Sequence, residues 1–143
     1  MRGQMKSFLF DTNALIYWVN EGAGPHGEVF ALVRRAVSEN MPVFALASSL
    51  NDVYYAMRRH YSSEAAARES VRDIAELFDL VDLAGPFVFE ALDSDEPDYE
   101  DGLIRAAAEA LQVSAIVSYD RKAFRRSAVP RVTAAEALTK TIV

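Results

Sequence analysis

Short, mainly apolar runs alternate with amphipathic stretches along nearly the entire chain, and this alternation decides the architecture. Lys6–Phe10, Val43–Ala47, Val81–Ala84 and Ala115–Ser118 each read as a brief buried strand. Strands apolar on both sides belong in a sheet covered on both faces. The intervening segments have helical spacing. Asn13–Val19 forms a short helix closed by the breaker Asn20–Pro25. Gly27–Glu39 gathers Val29, Leu32, Val33, Ala36 and Val37 on one side and ends at Asn40-Met41-Pro42. Ser49–Tyr61 turns Leu50, Val53, Tyr54, Met57 and Tyr61 inward. Ser62 or Ser63 caps Glu64–Leu80, whose stripe is Ala67, Val71, Ile74 and Phe78. Gly85-Pro86 opens the short helix Phe87–Leu92, and Pro97 introduces the alanine-rich helix Asp98–Leu111. Lys122–Arg126 is expected as one or two helical turns, Arg131-Val132 as a small edge strand and Thr133–Leu138 as a last turn. Such alternation implies an α/β fold: a short parallel sheet with right-handed crossovers, in a three-layer α/β/α sandwich.

At 143 residues, with no repeat, low-complexity tract or long linker, the chain is expected to be a single domain over 1–143. No apolar run approaches the length of a membrane span. The opening Met1-Arg2-Gly3-Gln4-Met5 does not read as a secretory signal, so a cytoplasmic location is expected. The absence of cysteine excludes disulfides, thiolate metal sites and a cysteine nucleophile. With only two histidines, His26 and His60, a zinc centre is not expected. The net charge of −6 argues against a protein that coats nucleic acid non-specifically. It leaves a nuclease open, because the acids of a metal site themselves lower the isoelectric point. Cations are nevertheless concentrated behind Asp120, at Arg121, Lys122, Arg125, Arg126 and Arg131, and the first of these read as backbone-phosphate contacts. Arg58, Arg59 and His60 suit the end of a helix.

The acids carry the chemistry. Asp11 closes the first strand and Asp120 follows the fourth, so a parallel sheet places both at its carboxyl edge, where open α/β sheets bind ligands. Asp52, Asp98 and Asp101 stand near helix starts. Each acid has a local alternative. Asp11 can cap a helix, and Asp120 can close an Asx turn. Ser49-x-x-Asp52 has the form of a capping box, and Asp98, Glu100 and Asp101 suit the positive end of a helix dipole. Asp93, Ser94, Asp95 and Glu96 read as a solvated loop. Brought together, the carboxylates would repel one another unless a cation neutralised them. An all-oxygen donor set suits Mg²⁺ or Mn²⁺ and phosphodiester chemistry.

Taken in order, three segments resemble the PIN domain family of metal-dependent ribonucleases, especially the VapC-type toxins of bacterial type II toxin–antitoxin pairs. They are Phe8-Leu9-Phe10-Asp11-Thr12-Asn13, Asp98-Tyr99-Glu100-Asp101-Gly102-Leu103-Ile104 and Ile116-Val117-Ser118-Tyr119-Asp120. The resemblance implies an endoribonuclease that uses Mg²⁺ or Mn²⁺ and leaves 5′-phosphate and 3′-hydroxyl ends. It implies Asp11, Asp101 and Asp120 as metal ligands. Asp52 would orient the attacking water or complete a second ion's shell. Most of the family carries a glutamate early in that second helix, and here Asp52 is the available carboxylate, one methylene shorter. Asn13, Ser118 and Asp98 would support the acids, and Arg121, Lys122 and Arg125 would contact RNA phosphates. Tyr119 stands where an arginine or another polar residue is common. The partners implied are an RNA substrate, a cognate antitoxin protein and a second copy in a homodimer. Tyr17, Trp18 and Val19 fit either the core or such a partner face. A PIN nuclease of RNA processing or decay, and a degenerate PIN domain that only binds, remain open. A haloacid-dehalogenase-like phosphatase would need Asp-x-Asp where the chain has Asp11-Thr12-Asn13.

Overall fold

In the computed structural model, which describes residues 5–141, five strands form one sheet. The strands are β1 (Phe8–Phe10), β2 (Val43–Leu46), β3 (Asp79–Val81), β4 (Ala115–Val117) and β5 (Arg131–Val132). Their order is β3-β2-β1-β4-β5, and every neighbouring pair is parallel. The reading of Met1–Gln4 lies outside the described residues. Among the described residues, seven helices connect and flank the strands: α1 (Thr12–Val19), α2 (His26–Ser38), α3 (Ser49–Tyr61), α4 (Glu64–Leu77), α5 (Gly85–Asp93), α6 (Tyr99–Leu111) and α7 (Ala134–Thr141). This is the expected three-layer α/β/α sandwich.

Strand pleating divides the core in two. Phe8, Phe10, Val43, Ala45, Ala115 and Val117 face one side, where α1, α2, α3, α4 and α7 cover them. Leu9, Leu46 and Ile116 face the other, covered mainly by α6 and α5. The α6 alanines Ala107 and Ala108 are fully buried in that second layer. Gly102 lets α5 come close: a Cβ there would stand 2.8 Å from the Ala91 Cα. That approach fixes the start of α6 and the acids it carries.

Several expectations fail locally. α4 ends at Leu77, not Leu80, and the third strand is Asp79–Val81 instead of Val81–Ala84. Phe78 keeps its place in the apolar stripe but as extended backbone, with edge-to-face rings of Phe10 at 5.0 Å and Trp18 at 5.3 Å. Burial of that one ring is met without helix, which frees the next residues to pair with β2 through Phe44 and Asp79. Lys122–Arg126 forms turns and bends, not helix. Tyr61 and Val37 are exposed, not inward, each in the last turn of its helix. The edge strand Arg131-Val132 and the closing helix stand where expected. Among the described residues, no helix is long and apolar enough to cross a membrane.

Candidate active site

The strand order reverses between β1 and β4. The chain moves from β1 outward to β2 and β3, then returns to β4 on the opposite side of β1. Such a switch point opens a crevice at the carboxyl ends of the two strands. Asp11 and Ser118 are the residues that leave those ends, and the Asp11 amide donates to the Val117 carbonyl at 3.1 Å.

Asp11 is buried and caps α1, accepting from the Ala14 amide at 2.9 Å. Ser118 is fully buried; its hydroxyl donates to the Asp11 carboxylate and accepts from the Asp120 amide at 3.1 Å. Burial pushes the Asp11 carboxyl upward. The hydrogen bonds from Ser118 and Ala14 pull it back, Asp120 pushes it up again, and Arg131 pulls it down. Arg131 also donates to the Ser118 carbonyl at 2.9 Å, tying β5 to the same corner. Asp120 is exposed and accepts from the Lys122 amide at 2.9 Å, so it makes the Asx turn while facing the other acids. Tyr119 turns away from that edge. Its hydroxyl donates to Glu28 and accepts from the Ala134 amide, which binds the strand end to α2 and α7.

The start of α6 supplies the next acids. Asp98 caps the helix, accepting from the Asp101 amide at 2.8 Å. The half-buried Asp101 is pushed up to about 7 by burial first, then by the charges of Asp98, Asp120 and Asp11. One of its oxygens, Oδ2, is buried with no hydrogen-bond partner.

The capping box expected at Ser49 and Asp52 does not form. Ser48, not Ser49, is the residue before α3, its side chain makes no capping bond, and the buried Ser49 hydroxyl has no partner. Asp52 instead meets Glu100 from α6. That hydrogen bond is the main cause that lifts Glu100 to about 8, with burial and the charges of Asp52, Asp98 and Asp101 behind it. Glu100 was read only as a helix-dipole residue. The signal that could have found it is the missing glutamate of α3: a longer acid from α6 reaches the shorter Asp52.

The acids thus form an arc: Asp52 and Glu100, then Asp98 and Asp101, then Asp11 and Asp120. Asn13 is exposed and makes no side-chain hydrogen bond to them. Arg121, Lys122 and Arg125 are exposed on the loop behind Asp120. Among the described residues, no three acids stand close enough to wrap one ion as they are placed. The donor set nevertheless fits a hard divalent cation. It contains an orphaned buried carboxylate oxygen at Asp101, and the charges of the surrounding acids raise the proton affinity of Asp101.

Glu96 was also misread. Its side chain is only 2% exposed and accepts from the Phe124 amide at 2.7 Å, so it belongs to the structure behind Asp120 and not to a solvated loop. Tyr17, Trp18 and Val19 are half-buried against the first core layer, and Trp18 also lines a surface groove of about 450 Å³ with His26 and Phe30.

A family model of the PIN domain matches residues 7–122. No curated protein sequence matches the chain. Among the solved structures that share its fold are three with toxin or toxin–antitoxin names. One is VapC20 from Mycobacterium tuberculosis, a sarcin–ricin loop cleaving toxin: 16% identical, TM-score 0.62, covering 80% of this chain and 90% of its own. The second is VapBC2 from Rickettsia felis bound to a DNA fragment from the promoter: 13% identical, TM-score 0.67, covering 89% and 98%. The third is a toxin–antitoxin complex from Klebsiella pneumoniae: 19% identical, TM-score 0.62, covering 88% and 96%.

Proposed function

The chain belongs to the PIN domain family, and from that premise we propose that it is a metal-dependent endoribonuclease and the toxin of a toxin–antitoxin pair. The observation that carries the proposal is the placement of Asp101. Its unpartnered Oδ2 lies among acids that converge from β1, β4 and α6 at the sheet's switch point. In this reading Asp11, Asp101 and Asp120 hold Mg²⁺ or Mn²⁺. A divalent ion so held supplies an acidified water and offsets charge developing on the phosphate oxygens.

The chain's own groups do the rest. Asp52, hydrogen-bonded to Glu100, orients the attacking water. Ser118 fixes the rotamer of Asp11 by donating to it and the loop of Asp120 by accepting from its amide. Asp98 holds the first turn of α6 and so the Asp101 backbone. Arg121, Lys122 and Arg125 meet neighbouring phosphates of the RNA. An antitoxin protein is the partner proposed for the groove beside Trp18 and Phe30, in keeping with the toxin–antitoxin assemblies that share this fold. A homodimer is proposed as well; the exposed Phe89 and Leu92 of α5 offer apolar surface for it.

The test is cleavage of total cellular RNA by the purified protein in Mn²⁺ or Mg²⁺. Discrete fragments that vanish with EDTA and with Asp11→Asn are expected. Folded, antitoxin-free protein that cuts in neither metal would refute the proposal and favour a PIN domain that only binds.

A further inference from the structure

A buried carboxylate needs a reason, because its charge is costly to desolvate unless it is paired. Glu96 has two partners. One oxygen accepts from the Phe124 amide at 2.7 Å and the other from Arg105 at 3.1 Å. Phe124 is the described loop residue that most needs holding. Its φ is +65°, a left-handed conformation unfavourable for a residue with a Cβ, while its ring is buried against the second core layer. Arg105 extends the grip by donating to the Arg126 carbonyl at 3.1 Å. Glu109, paired with Arg105 at 3.3 Å, accepts from the Ala128 amide at 2.9 Å. At its other end the loop is anchored by the Asx turn from Asp120 to Lys122.

This clamp fixes backbone and leaves cations free. Lys122, Arg125 and Arg126 line a cavity of about 360 Å³ together with Asp95 and Glu96. Asp95 is taken by Arg105 at 2.7 Å and faces Arg126 at 3.4 Å, and Glu96 is taken by Arg105 and Phe124. Among the described residues, Lys122 and Arg125 pair with no carboxylate. The wall acids are neutralised from behind, and two unpaired cations face outward, starting two residues from Asp120.

We infer that Glu96, supported by Arg105, is the positioning residue of a phosphate cradle built from Lys122 and Arg125, which grips single-stranded RNA next to the cleavage site. The inference rests on the ribonuclease reading and adds a binding element to it. A strand whose reacting phosphate sits at Asp120 carries its next phosphates over this loop. The cradle is set before RNA arrives, so little loop ordering opposes binding.

The experiment uses the full chain with Asp11→Asn to prevent cleavage, and a fluorescein-labelled single-stranded RNA. Anisotropy gives affinity as a function of KCl. Loss of two phosphate contacts lowers the slope of log K against log[salt] by about 1.4, at about 0.7 per single-strand phosphate. Glu96→Ala is expected to show that drop, as is the pair Lys122→Ala and Arg125→Ala, with no further fall when all three are combined. Glu96→Gln keeps an oxygen for the Phe124 amide and is expected to keep the slope. Arg105→Gln, which leaves the buried Glu96 charge without its cation and removes the hold on the Arg126 carbonyl, moves it in the same direction as Glu96→Ala. A merely structural role for Glu96 would lower the melting temperature of folded Glu96→Ala and leave the slope alone, which overturns the inference. If Glu96→Ala does not fold, an unchanged slope in Arg105→Gln or in the double cation variant overturns it equally. An Asp11→Asn protein that binds no RNA at all refutes the ribonuclease reading and the cradle together.

Discussion

The two halves of the acidic arc are held by different means. At the sheet edge, Asp11 and Asp120 are set by backbone amides and the Ser118 hydroxyl: the Asp11 amide bonds β4, the Ala14 amide and Ser118 hydroxyl bond the Asp11 carboxylate, and the Lys122 amide bonds Asp120. On the helical side, Asp52 and Glu100 are held chiefly by each other, and Asp101 keeps one oxygen with no partner. The edge half has its geometry before any ligand comes. Burial and the neighbouring acid charges push Asp101 up to about 7, and the Asp52 hydrogen bond followed by burial pushes Glu100 up to about 8. A cation would therefore reorganise the helical half more than the edge.

The largest expected effect breaks both halves alike. Asp11→Asn and Asp101→Asn each remove a charge that the proposed ion would need, and each should lower kcat by roughly 10³-fold, equivalent to several kcal/mol of lost stabilisation. Single-turnover cleavage of a defined RNA measures this, and near-normal rates in either variant would separate that acid from the chemistry. The next effect is specific to the edge. Ser118→Ala frees Asp11 and the Asp120 amide together, and a loss of roughly 10–100-fold in kcat or metal affinity is expected. A change confined to melting temperature would make Ser118 packing only.

A smaller effect belongs to the helical side. Asp52→Ala and Glu100→Ala each remove one partner of a shared hydrogen bond, so each should slow cleavage about tenfold and the double variant should be no worse than the poorer single one. Additive losses would mean that the two acids work apart. The smallest effect concerns stability. The Asp101 and Glu100 carboxyls titrate higher folded than unfolded, so the folded state binds the extra protons. The stability this contributes is complete below the ordinary carboxylate range and is lost as pH rises through about 7 and 8. Both groups are partly exposed and solvent screens them, so in EDTA the melting temperature should fall by only about 4 °C between pH 5 and pH 8.5. Mn²⁺ should restore it at the higher pH. A flat profile in EDTA would show that the helical acids are not under mutual strain.

The same division governs how much could be read in advance. The sheet, its parallel sense and the edge acids were legible, because apolar runs ending in Asp11 and just before Asp120 are local patterns that burial enforces. Asp98 at the positive end of α6 and Arg131-Val132 as an edge strand were legible for the same reason. What escaped depends on contacts between distant segments. Lys122–Arg126 has helical composition, yet Glu96 claims the Phe124 amide from 28 positions away and turns the backbone left-handed. Glu100 looked like a dipole residue because its partner, Asp52, lies on another helix. The capping box at Ser49 failed because the helix begins one residue earlier than the motif requires, which releases Asp52 to face α6. Phe78 satisfied its periodicity and still left the helix, since two aromatic rings received it in extended form.

The central claim is that the two halves close around a divalent ion, and Mn²⁺ binding to the metal-free protein tests it most directly. Electron paramagnetic resonance of free Mn²⁺ during a titration at pH 7.5 should reveal saturable binding. That binding should be nearly abolished in Asp101→Asn, strongly weakened in Asp11→Asn and only modestly weakened in Asp52→Asn. Folded protein that leaves the Mn²⁺ signal unchanged, or equal affinity in Asp101→Asn and the parent, would contradict the account.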